Sequence, residues 1–383
     1  MLKGDKKMSK TLEKSKVQSA VNSKVIPVID CDVHPNPKSY EDLNPYLSDY
    51  WRDFLTDCKW KGVFPGIPIM AIVANAGHRM DSIPPEGGLG CSSLEFYREQ
   101  VADKYNYANS ILFPDSSFML AASAQHEMAT AVASAYNDWQ IDTWLAKDPS
   151  LRGSVIIAPQ DPEAAAREID RVGSHPQMVQ VGLSIHSPYG GWGDKRYHPI
   201  WEAAIRNGLV CTFHVSVPGG LFRQGPVIGN YYPEAQTNNG LTYQAQINSI
   251  VFGGVLEKYQ DLKMVFVEGG FAYLPNLMYT MDTHWRNLKR EVPWVKRPPS
   301  QQIREQMWFG TQPFIEPERH EDEEHVVQII KMIGEDRILF ASDYPHWEFD
   351  APHAAFARIP RDLKEKILYK NAMKVYGFPD PTK

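Results

Sequence analysis

Short apolar runs recur along this chain, and stretches of helical period lie between them. The runs are "VIPVIDC" (25–31), "SILFPD" (110–115), "GSVIIAP" (153–159), "VQVGLSI" (179–185), "LVCTFHV" (209–215), "KMVFVEG" (263–269), "MWFGTQP" (307–313) and "RILFASD" (337–343). Most are continuously apolar instead of alternating, which is the pattern of strands buried on both faces. "PEAAAREIDRVGS", "HPIWEAAIRNG", "HEDEEHVVQIIKMIGED" and "PRDLKEKILYKNAMKVYG" read as helices between or after them, and Gly208 is placed to end the second. Eight strand–helix units predict an α/β chain folded as one distorted (β/α)8 TIM barrel over residues 25–378. A doubly wound open sheet would want a Gly-rich phosphate loop after its first strand, and "DCDVHPNP" is not one.

Residues 38–109 are too long for a loop and carry several Pro and Gly. They predict an insertion between strands one and two that caps the barrel mouth. Residues 1–24 are rich in Lys and Ser without an apolar centre, and read as a flexible arm.

Composition narrows the function. At 383 residues, 43% hydrophobic and 22% charged, the chain can bury a large core. A net charge of −6 gives no footing for nucleic acid, and no apolar run approaches the roughly 20 residues of a membrane span. The four cysteines form no CxxC pair, which points to free thiols in a reducing cytoplasm.

The chemistry gathers where the strands end. In barrels of this kind the C-terminal strand ends face the active site. Here they carry Asp32 and His34, His186, His214, Glu268, and Asp343 with His346 three residues on. Asp32 and His34 alternate and so share one side of an extended segment. This mixture of nitrogen and oxygen donors suits one or two divalent ions of zinc, manganese or iron. Each residue alone has a plainer explanation as a turn former, a cap or a satisfied core histidine. Their coincidence on several strand ends favours a metal site.

The ordered motifs "IDCDVHP", "AYNDW", "HPIWEAA", "VFVEGG…LP", "WFGTQP", "FASDYPHWEFD" and "NAMKVYGF" resemble the amidohydrolase-related family. This branch of the amidohydrolase superfamily includes aminocarboxymuconate-semialdehyde and aromatic-acid decarboxylases. The resemblance implies metal ligation by Asp32, His34, His214 and Asp343. It also marks departures. Many relatives have H-G-G at strand six, where this chain has Glu268-Gly269-Gly270. The Lys that is carbamylated in two-metal amidohydrolases is replaced by Ser184-Ile185-His186. A Glu at strand six can hold or bridge a second ion, with Asp32 and His346 nearby, as the resemblance to dinuclear relatives implies.

The leading expectation is hydrolysis of a small organic acid, amide or ester. Asp343 would ligate the metal and take the proton of a bound water. Non-oxidative decarboxylation, a dinuclear oxygenase of the 2-aminoisobutyrate hydroxylase type and a non-catalytic partner subunit are the alternatives. His284 is a candidate acid–base residue, with a surface helical histidine as its other reading. His186 and Arg223 are candidates for a substrate carboxylate. Trp347 and Trp192 are candidate pocket walls, with ordinary aromatic packing as the other reading. The partners expected are a small carboxylate-bearing substrate and further copies of the chain, or a related subunit in a heteromer.

Overall fold

The computed structural model describes residues 25–62, 77–115, 117–216, 231–314, 317–319, 323–356 and 358–383. Eight parallel strands follow chain order: β1 (Val28–Val33), β2 (Tyr107–Leu112), β3 (Leu151–Ile156), β4 (Met178–Ser184), β5 (Val210–His214), β6 (Met264–Phe266), β7 (Met307–Gly310) and β8 (Ile338–Leu339). Each pairs with the next, as a TIM barrel requires. The segment that follows β8 meets the first strand through main-chain bonds: Cys31 N–H donates to Phe340 O (3.0 Å), Asp343 N–H to Asp32 O (3.1 Å) and His34 N–H to Tyr344 O (2.8 Å).

Local sequence explains the helices that cover this sheet. Asp161 accepts from Ala164 N at 3.0 Å and Pro162 opens the helix Pro162–Val172, satisfying donors that helix starts leave unpaired. The helix His198–Arg206 runs into Gly208 at φ 68°, a left-handed residue that stops it. Its Ile200, Trp201, Ala203 and Ala204 are buried. Trp192 is fully buried against Tyr197, Trp201 and Phe213, and its indole N–H donates to Ser184 O and Ile185 O. It is therefore packing and not a pocket wall.

The predicted run 337–343 is shorter as a regular strand. Only Ile338 and Leu339 pair with β7, because the following residues turn toward β1. The predicted 110–115 strand begins earlier, at Tyr107.

Part of the insertion docks on the loop after β8. Arg79 N–H donates to Pro345 O at 2.9 Å, and Trp347 N–H to Gly77 O at 2.8 Å. Residues 1–24 and 63–76 of the expected arm and cap lie outside the described residues. No helix among the described residues is long and apolar enough to cross a membrane.

Candidate active site

The end of β1 places Asp32 and His34, both fully buried, at the barrel mouth. Below them Asp30 accepts from Asp32 N–H (3.1 Å) and Ser342 N–H (3.0 Å). That fixes β1 against the β8 end. Burial pushes the Asp30 carboxyl up to about 7 against the pull of its hydrogen bonds from Ser342 and Asp32.

Ligand atoms of Asp32, His34, His214 and Asp343 all lie within 4.8 Å of one another. His34 Nδ1 lies 2.9 Å from Phe113 O, and His214 Nδ1 lies 2.6 Å from Val215 O. A carbonyl only accepts, so each Nδ1 carries a proton and each Nε2 is turned inward. The two Nε2 atoms stand 3.3 Å apart. His34 Nε2 is also 3.1 Å from Asp343 Oδ1 and 3.4 Å from an Asp32 oxygen. His214 Nε2 is 2.8 Å from Glu268 Oε2.

Lone pairs therefore converge on one point. Both oxygens of Asp32 and Oδ2 of Asp343 are buried with no hydrogen-bond partner among the described residues. Such orphaned acceptors are costly unless a cation meets them. The donor set fits a divalent ion of the zinc, manganese or iron type.

The local electrostatics follow from this crowding. Burial opposes charge on His34, yet Asp32 and Asp343 outweigh it and push its pKa well above the usual range. For His214 burial prevails and the pKa falls. Burial, then the charge of Asp343, pushes Glu268 well up. Burial would raise Asp343 as well, but His346 and His34 bring it far below the usual carboxylate range. His346 Nδ1 lies 2.6 Å from Asp343 Oδ1, and against the cost of burial this contact lifts His346 to about 9.

The "EGG" at β6 has a steric reason. A Cβ on Gly269 would come within 2.7 Å of the Tyr243 ring, and Gly270 has φ 62°.

Other expected residues divide. His186 is half-buried after β4, with Nδ1 3.0 Å from Ser216 Oγ, beside the cluster but not in it. Trp347 is 53% exposed and its indole N–H reaches Tyr232 Oη at 3.4 Å. His284 is exposed on the helix Leu274–Leu288 and is not brought into the group. Ten residues at about 1.5 Å each carry it about 15 Å along that helix from its start. Arg223 lies outside the described residues.

Four neighbours were not expected. Phe118 stacks on His214 at 4.3 Å between ring centres. Glu348 completes an acidic trio with Glu268 and Asp343; burial, then these two charges, raises it to about 8, and Gln236 donates to it at 2.9 Å. His78 and Asp115 flank His346. Asp115 lies three residues past β2, where the strand-end rule applied to the other strands would have found it. His78 sits in the insertion and no periodicity marks it.

Comparison with known proteins agrees with this architecture. The chain is 24% identical over 325 residues to gamma-resorcylate decarboxylase of Polaromonas sp. strain JS666, covering 80% of this chain and 94% of that protein. It is similar in fold to 5-carboxyvanillate decarboxylase from Sphingomonas paucimobilis, with TM-score 0.67 and 20% identity over 92% of this chain and 100% of that one. Dihydroxybenzoic acid decarboxylase from Polaromonas sp. JS666, solved with manganese and the inhibitor 2-nitroresorcinol, gives TM-score 0.64 and 19% identity over 94% and 99% of the two chains. The family described as Amidohydrolase matches residues 29–378, and the chain belongs to that family.

Proposed function

We propose that this protein is a metal-dependent decarboxylase of a small hydroxy-aromatic carboxylic acid. The observation that carries the reading is the buried convergence of Asp32, His34, His214 and Asp343, joined to the similarity with gamma-resorcylate decarboxylase along nearly that protein's whole length. This similarity moves the assignment from hydrolysis, the leading expectation, to decarboxylation.

Asp32, His34, His214 and Asp343 are the residues that would hold the ion. Bound there, a divalent cation would supply Lewis-acid anchoring for substrate oxygens. The chain's own residues do the rest. Phe118, stacked on His214, offers an aromatic face beside the ligands and keeps water from it. In the reaction the ring–carboxylate bond breaks, CO2 leaves with no electrons, and the ring carbon gains a proton. Glu268, at the end of β6 with Oε2 turned into the site, is the group placed to hold and hand over that proton. His186 and Trp347 are candidate substrate contacts, and the described part of the insertion that docks on the loop after β8 through Gly77 and Arg79 is a candidate cap.

The test is CO2 release and ring-proton appearance from 2,6-dihydroxybenzoate and related hydroxybenzoates, with manganese supplied. Decarboxylation without oxygen uptake is expected. Ester or amide cleavage with no CO2 from any hydroxybenzoate would return the assignment to hydrolysis.

A further inference from the structure

We infer that His78, Asp115 and His346 form a second divalent-cation site beside the first. Their ligand atoms lie within 4.8 Å of one another, and they come from the insertion, the β2 end and the β8 end.

The geometry is that of a site already oriented. Asp343 Oδ1 occupies Nδ1 of His346 at 2.6 Å, which leaves Nε2 as its free-standing donor atom. A carboxylate behind an imidazole is the usual support for a metal-bound histidine. That Nε2 faces Asp115 Oδ1 at 4.0 Å, beyond hydrogen-bond reach. On the other carboxylate oxygen, His78 Nε2 stands at 2.8 Å. Two ligand atoms on one zinc-like ion, each at about 2.0–2.2 Å, are separated by about 3–3.5 Å. The two observed spacings bracket that value.

The surroundings hold the three in place. Asn36 donates to Asp115 Oδ2 at 3.3 Å and to Gly90 O at 2.9 Å. A Cβ on Gly90 would lie 3.3 Å from His78 Nδ1 and 2.6 Å from Ser82 Oγ, so glycine leaves room for the imidazole. The rings of His34, His346 and His78 form a row, with centres 5.0 Å and 5.1 Å apart. His346 thus links the two sites, touching the first through Asp343 and facing the second through Nε2. Two nitrogens and a carboxylate suit manganese, iron or zinc.

The inference is independent of the reaction assigned above, since counting ions needs no substrate. The experiment is equilibrium dialysis of the full-length, chelator-stripped protein against manganese(II) alone, followed by elemental analysis. Two ions per chain are expected in the wild type and one in His78→Gln. The ion that remains reports that the barrel is folded, because its ligands come from β1, β5 and the β8 end. One ion in the wild type, or two in His78→Gln, overturns the inference. If His78→Gln binds none, Asp115→Asn decides: one ion supports the second site, and none or two overturns it.

Discussion

Asp343 has φ 61° and Glu268 has φ 54°, so two of the site's carboxylates sit on left-handed backbone. Non-glycine residues pay a conformational cost there, least for Asn and Asp. Asp343→Asn therefore keeps the backbone and removes the charge. Manganese affinity should fall by about 100-fold or more, since even a supporting partner of a ligand is worth about 10- to 100-fold. Titration of the stripped protein measures this. Asp343→Val should in addition lose about 1–3 kcal/mol relative to the Asn variant, read by urea unfolding in chelator. At this scale the sequence was informative where chemistry sat on a strand end. Asp32, His34, His214, Glu268, Asp343 and His346 all fall on that rule. His78 escaped it because the insertion has no period that says which residue faces the mouth. His284 takes the surface reading because a residue near β6 in sequence is carried away by its helix. Phe118 was missed because an aromatic after a strand looks like any core residue.

Among the elements, β4 acts on the site from a distance. A Cβ on Gly182 would meet the Phe113 ring at 2.7 Å, and Phe113 O is the acceptor that orients His34. Gly182→Ala should cost about 1–3 kcal/mol by overpacking and weaken manganese binding as well. Unfolding and metal titration of the same preparation test both. The turn into β3 predicts a pH effect. Asp148 is 5% exposed, accepts from Ser150 N–H (2.8 Å) and Ser150 Oγ (2.7 Å), and pairs with Arg98. Burial would raise its pKa, but these partners hold it below the usual range. Its carboxylate binds fewer protons folded than unfolded, so its stabilisation is present above the unfolded pKa and lost as pH falls through the folded value. Asp148→Asn should be less stable than the wild type at pH 7 by about 1–3 kcal/mol, with the gap narrowing toward pH 3. Equal gaps at both pH values would contradict this. Strand identity was legible from the apolar runs. Strand length was not, because residues such as Phe340 to Asp343 leave the ladder to bond with β1, a tertiary choice that local sequence does not encode.

For the whole molecule, an ion at the proposed site would also be a fastener. The candidate ligands join β1, β5 and the β8 end, where buried carboxylate acceptors face one another. Manganese at about 100 times its dissociation constant should stabilise the protein by about 2.7 kcal/mol, seen as a higher Tm that Asp32→Asn lacks. The barrel itself followed from counting eight strand–helix units. Its closure was not countable, since β1 is met by Phe340, Asp343 and Tyr344, which follow β8 at irregular spacing.

That seam has a consequence for how the protein comes into being. His34 and Asp343, 309 positions apart, meet where the first strand touches the last. A growing chain carries His34 for 309 further residues before Asp343, which would complete the proposed ligand set, is added. Chains cut short before residue 337 would lack both the closing strand and a ligand. Capture of an ion by that set would thus mark a molecule that already holds the segment closing its barrel.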